Sequence, residues 1–94
     1  MKEYEIIVAY DIEDNKKRTA LFELLKDFGL KPVQKSVFWG RVLQAEERAI
    51  VAELSLRLSE QTDKGFVIRA NLSELKAKVG YETIDFTKQT FICI

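Results

Sequence analysis

The chain has 94 residues, with 15 basic and 15 acidic side chains, a formal net charge of zero and 47% hydrophobic residues. This predicts one small domain, near the low end of the size that folds alone. The charge balance excludes a protein that coats nucleic acid through a general basic excess, though not one that binds through a local basic face.

The sequence has no histidine and a single cysteine, Cys93. Their absence removes Ser–His and Cys–His nucleophile pairs, histidine-ligated zinc and any disulfide framework. Any metal must therefore be held by oxygen, which favours magnesium, manganese or calcium. No signal peptide is visible, and no apolar run approaches the ~18 residues of a membrane span. The cytoplasm is the expected compartment, with no membrane partner.

After a polar lead-in, the apolar and β-branched run from Tyr4 to Tyr10 predicts a buried strand. It is apolar on both faces in its middle (Ile6, Ile7, Val8), as suits a central strand covered by helices on one side and by a second layer on the other. The strand stops at Asp11. A turn-starting or capping role is open to this acid, but Asp14 or Asn15, nearer the next helix, fits capping better. That leaves Asp11 as a candidate functional carboxylate.

A helix follows, running to about Phe28. Leu21, Phe22, Leu24, Leu25 and Phe28 form one buried stripe, and Gly29 supplies a left-handed cap. Lys16, Lys17 and Arg18 sit in its first turn, where the helix dipole disfavours cations. They form either a solvated face or an anion site one loop away from Asp11. Residues 31–43 are extended in character and predict two short strands joined by a bend near Lys35-Ser36. Gln34, Ser36 and Phe38 fall on one alternation phase, and Val33, Val37 and Trp39 on the other. Trp39 is a core anchor, a dimer contact or a stacking surface.

A second helix opens at Ala45-Glu46-Glu47 and runs to about Glu60, with Ile50, Val51, Leu54 and Leu58 as its core stripe. A weaker strip of Ala45, Ala49, Ala52 and Leu56 lies on the opposite side. Thr62 to Gly65 reads as a turn, Gly65 to Arg69 as a strand, and Leu72 to Val79 as a short helix or turn ended by Gly80. Strands at 81–86 and 90–94 complete the chain. The predicted fold class is α+β: a single ferredoxin-like βαββαβ domain over 1–94 with an additional C-terminal strand and a mostly antiparallel sheet. Both helices lie on one sheet face. The other face carries apolar residues and is expected to pair with the same face of a second copy.

The Tyr10-Asp11 strand end, the Asp11-Ile12-Glu13-Asp14 turn with Arg18 beyond it, Gly29-Leu30, and Val33-Gln34-Lys35-Ser36-Val37-Phe38 with Gly40 resemble the CRISPR-associated protein two family. The similarity covers about residues 4 to 70. It implies a homodimer whose two Asp11 residues face each other across the two-fold axis and hold Mg²⁺ or Mn²⁺. It also implies duplex DNA, or RNA, as the nucleic-acid partner and the CRISPR integrase as the protein partner during spacer acquisition. In some members it implies a metal-dependent endonuclease.

The nucleic-acid contacts would then be Lys17, Arg18, Lys31, Gln34 and Ser36. The interface candidates are Phe38, Trp39, Phe91 and Ile92, with the segment at about 81–94 pairing with the partner. Two positions depart from the family pattern. Pro32 stands where many members have a basic residue, with Lys31 one place earlier, and Ala20 stands where many have a second. Four functions are open in this order: a scaffold binding duplex DNA and bridging the integrase, a metal-dependent nuclease, a ribonuclease toxin of the virulence-associated protein D type, and a ferredoxin-like small-molecule regulator. The last lacks a glycine-rich ligand loop.

Overall fold

Strand β1 (Glu3–Asp11) lies inside the sheet, and its alternation decides the architecture. The computed structural model describes residues 2–74, 76, 79 and 80. Ile6, Val8 and Tyr10 of β1 are buried beneath the helices, while Ile7 and Ala9 point to the other face and are only half-buried. After β1 come α1 (Asn15–Asp27), β2 (Lys31–Gln34), β3 (Val37–Leu43), α2 (Gln44–Arg57) and β4 (Lys64–Arg69). The sheet order is β2-β3-β1-β4 and each neighbouring pair is antiparallel. This is the ferredoxin-like βαββαβ arrangement expected from the sequence. The expected strands at 81–86 and 90–94 lie outside the described residues.

Each helix starts and stops for local reasons. The Asp14 carboxylate caps α1 by accepting from the Lys17 N–H at 2.8 Å, which satisfies one of the helix's unpaired donors. At the other end Gly29 adopts φ +90. Its N–H donates to the Lys26 carbonyl at 2.9 Å, and the Leu30 N–H reaches back to the Leu25 carbonyl at 3.1 Å. This double bond pattern closes the helix and turns the chain into β2. At the start of α2 the Glu46 side chain accepts from the Leu43 N–H at 2.8 Å.

The sequence carries α2 to about Glu60, but the helix ends at Arg57. The Ser59 N–H is taken by the Asp63 carboxylate at 2.9 Å instead of by a helical carbonyl. A buried acid thus unwinds the last expected turn. Beyond β4, helical geometry is confined to a single 3-10 turn at Leu72–Glu74 among the described residues.

The helix-side core joins Ile6, Val8 and Tyr10 of β1, Phe38 and Val42 of β3, Leu21 and Leu25 of α1, and Ile50 and Leu54 of α2. Phe38 is 0% exposed. Its ring packs edge-on against Phe22 at 5.1 Å between centroids and lies near Tyr10 at 6.3 Å. The sequence suggested Phe38 as an interface residue. Its side chain instead has no surface left to offer, because β3 directs it under the helices.

The bend at Lys35-Ser36 forms as expected, but the strand phases differ. A bulge between Pro32 and Gln34 sets Gln34 opposite Val37, so Gln34 shares a face with Val37 and Trp39 and not with Phe38. At the sheet's far edge Arg69 binds Glu47 of α2 through two bonds of 2.9 and 2.8 Å. Its guanidinium also lies 3.7 Å from the centre of the Tyr4 ring. This pairing holds the Glu47 carboxyl below its ordinary pKa. Among the described residues no helix is long and apolar enough to cross a membrane.

Phe38 is the largest of the fully buried side chains among the described residues, so Phe38→Ala should cost about 3–5 kcal/mol. Urea unfolding should show this as a large fall in midpoint. Phe38→Leu should lose much less.

Candidate nucleic-acid and metal site

Asp11 closes β1 on the sheet face away from the helices, and it is exposed. Its cross-strand partner is Lys64, the first residue of β4. Residues directly opposite in an antiparallel pair share a face, so a carboxylate and an ammonium stand side by side at this end of the sheet. From there Ala9 sits opposite Phe66 and Ile7 opposite Ile68. Phe66 and Ile68 are 57% and 53% exposed. On the other flank of β1, Ile7 opposes Trp39 and Ala9 opposes Val37. Asp11 thus borders an apolar sheet face.

Trp39 lies on this same face but is only 3% exposed. Its indole N–H donates to Glu5 Oε2 at 2.7 Å, and the same oxygen accepts the Leu72 N–H at 3.1 Å. Glu5 therefore fixes both the indole and the chain leaving β4. Among the three roles open to Trp39, this geometry fits an anchor within the chain. Phe91 and Ile92 lie outside the described residues.

Two cations of the first helical turn, Lys17 and Arg18, are committed to the chain's own structure. The Lys17 ammonium binds Asp63 Oδ2 at 2.8 Å. The Arg18 guanidinium donates to the Ile12 carbonyl at 2.9 Å and also bonds the Asn15 side chain. Both side chains are half-buried and brace the connection between β1 and α1. Lys16 in the same turn is exposed. Lys31 is exposed and lies opposite Trp39 across the β2–β3 pair. Gln34 is exposed at the turn, while Ser36 is half-buried and its carbonyl accepts the Tyr10 N–H at 3.1 Å. The expected contact residues therefore divide. Lys31 and Gln34 share the face of Asp11, whereas Lys17 and Arg18 hold the loop that follows it.

The residue that sequence reading missed is Asp63. It lies in a predicted turn and nothing in its local pattern marks it. The bond from Lys17, then that from the Ser59 N–H, hold its carboxyl well below the usual carboxylate range. Bonds from the Glu13 N–H and the Thr62 hydroxyl add to this, against burial, which pushes the other way. Lys64 was missed too, although its place opposite Asp11 follows once the β1–β4 register is known. Tyr10, beside Asp11 in sequence, points to the opposite side of the sheet. Its hydroxyl is buried, without a hydrogen-bond partner among the described residues. Burial raises its pKa, partly offset by the charge of Arg18. It is therefore not placed to exchange a proton at the Asp11 face.

Among the described residues no group of three or more Asp, Glu, Cys or His side chains is gathered as a metal site. The exposed Asp11 carboxylate is a hard oxygen donor. It fits a largely hydrated Mg²⁺ or Mn²⁺ if a second copy brings its own Asp11 to the same ion.

The Asp63 pKa makes a pH prediction. The group ionises more readily folded than unfolded, so its stabilisation is complete above the ordinary aspartate value of about 3.9. It is lost as pH falls below that value toward the folded one. Asp63→Asn should melt several degrees lower at pH 7. The difference from the parent protein should shrink progressively as pH falls below about 4 in thermal melts.

The family model described as CRISPR associated protein Cas2 matches residues 4–78. Among curated relatives, CRISPR-associated endoribonuclease Cas2 1 of Francisella tularensis subsp. novicida is 48% identical over 85 residues, covering 88% of this chain and 84% of that protein. CRISPR-associated endoribonuclease Cas2 of Thermofilum pendens is 40% identical over 63 residues, covering 67% of each chain. The crystal structure of Streptococcus pyogenes Cas2 at pH 6.5 superposes with a TM-score of 0.69 at 26% identity, covering 81% of this chain and 99% of that one.

Proposed function

This chain belongs to the CRISPR-associated Cas2 family, and from that premise we propose that it acts as a homodimeric scaffold in CRISPR adaptation. It holds duplex DNA by the backbone and bridges the integrase. The observation that carries this reading is the apolar sheet face of Ile7, Phe66 and Ile68, bordered by Asp11 and Lys64. An apolar patch of this kind on a small domain marks an interaction surface. A side chain of this size gains about 1.5–3 kcal/mol on full burial. Roughly half of that is still available at Phe66 and at Ile68, which are 57% and 53% exposed. Face-to-face pairing with a second copy covers them and sets two Asp11 carboxylates near one axis.

Each residue at the site then has a role. Lys31, Gln34 and Lys64 offer donors to phosphate oxygens. Such contacts carry no sequence information and make binding salt-dependent. Lys17 and Arg18 contribute indirectly, by fixing the loop after Asp11. The two Asp11 carboxylates would hold the divalent cation, which supplies Lewis-acid polarisation of a phosphodiester and a more acidic bound water.

A second reading, metal-dependent endonuclease activity on RNA or DNA, is favoured by the exposure of Asp11 and by the endoribonuclease name of the Francisella relative. Among the described residues the site offers one carboxylate per chain, and the sequence holds no histidine base, which suits slow turnover. The toxin reading has less support, since the family match covers residues 4–78.

Ile68→Asp places a charge within the pairing face, opposite Ile7. It should convert the dimer to a folded monomer in sedimentation velocity, with backbone DNA binding weakened. A dimer that survives Ile68→Asp unchanged would rule out pairing through this face. Asp11→Asn should leave salt-sensitive duplex binding within a factor of about two, because the phosphate donors remain. If the endonuclease reading holds, the same variant should lose cleavage of labelled RNA and DNA in Mg²⁺ or Mn²⁺ by about 100-fold or more. Equal cleavage by parent and variant would exclude Asp11 from the chemistry.

A further inference from the structure

Asp63 is the most heavily engaged side chain near the site among the described residues, and its partners come from two separate segments. The side chain is 1% exposed. Its Oδ1 accepts from the Glu13 N–H and from the Thr62 hydroxyl, each at 3.2 Å. Its Oδ2 accepts from the Ser59 N–H at 2.9 Å and from the Lys17 ammonium at 2.8 Å. Ser59 and Thr62 belong to its own turn, but Glu13 belongs to the loop leaving β1 and Lys17 to the first turn of α1. Each oxygen thus takes one bond from either side. A single carboxylate fastens the turn entering β4 to the loop leaving β1.

Those two segments flank one rung of the sheet. The last β1–β4 pair is Asp11 opposite Lys64. Asp63 immediately precedes Lys64, and Glu13 follows Asp11 by two residues, so the rung is gripped from both strands. We infer that Asp63 is the positioning residue of the Asp11 site. It fixes the backbone on both sides of the Asp11–Lys64 rung and so sets the direction in which the Asp11 carboxylate is presented. Arg18 adds a brace at the residue between, through the Ile12 carbonyl. In this role Asp63 acts on Asp11 only through this framework.

An asparagine has nearly the same shape but one acceptor oxygen. Its amide group meets N–H donors with N–H donors, so one half of the clamp must open. The inference rests on the reading of Asp11 as a metal ligand, and the experiment separates the two. Mn²⁺ alone is titrated into the full-length dimer, with free ion followed by electron paramagnetic resonance. Hydrogen exchange is measured in parallel at the amides of residues 11–14. The parent is compared with Asp11→Asn, Asp63→Asn and Val42→Ala. The last is a core variant at the other end of β3 that reproduces a loss of stability without touching the clamp. All are measured well below their melting temperatures.

Asp63→Asn should weaken Mn²⁺ binding by about tenfold or more, as loss of an outer-shell partner does, and should accelerate exchange at the Glu13 amide. Val42→Ala should bind Mn²⁺ as the parent does. Parent-like affinity in Asp63→Asn would make Asp63 a stability residue only and overturn the inference. Equal loss in Asp63→Asn and Val42→Ala would do the same. Parent binding no tighter than that of Asp11→Asn would overturn the inference together with the metal reading beneath it.

Discussion

The two-sidedness of β1 is the constraint from which the rest follows. An inner strand with apolar residues on both faces must be covered twice. The chain provides one cover itself, by laying α1 and α2 over Ile6, Val8 and Tyr10. The other face is left with Ile7 and Ala9 flanked by Phe66 and Ile68. Among the described residues, the helix-side core is hidden, while Phe66 and Ile68 on the other face remain more than half exposed. The Asp11 carboxylate stands where β1 reaches the rim of that face, so covering the face and assembling the proposed site are the same event in the proposed dimer.

What the sequence made legible was whatever depends on short-range pattern. The β1 run, the stripe Leu21, Phe22, Leu24, Leu25 and Phe28, the Gly29 cap and the bend at Lys35-Ser36 each follow from neighbours a few residues apart, and each forms. The end of α2 did not follow, because it depends on Asp63, whose hold on the Ser59 N–H has no helical signature. The phase of Gln34 failed for a related reason: one bulged residue reverses which side of a strand faces the core.

The candidate site was legible to the same degree. Asp11 could be found because an acid ending an inner strand is conspicuous. The basic turn was also conspicuous, but its chemistry depends on partners far along the chain. Lys17 is bound by an acid 46 residues away, a relation that no local pattern contains. Conversely Lys64 gains its significance only from register. Cations that look available in a sequence can already be neutralised by the fold, as Lys17 is by Asp63.

Glu5 joins two parts of the molecule, the indole on β3 and the chain just beyond β4. Its Oε2 holds the indole of Trp39 and the amide of Leu72, and Trp39 is the chain's only tryptophan. The protein therefore carries a built-in optical probe at the root of the segment that leaves β4. While that root is seated, the indole is dry and hydrogen-bonded to a carboxylate. If the root lifts, water reaches the ring and the carboxylate is released, and the emission colour of a single fluorophore registers the change without any label being added.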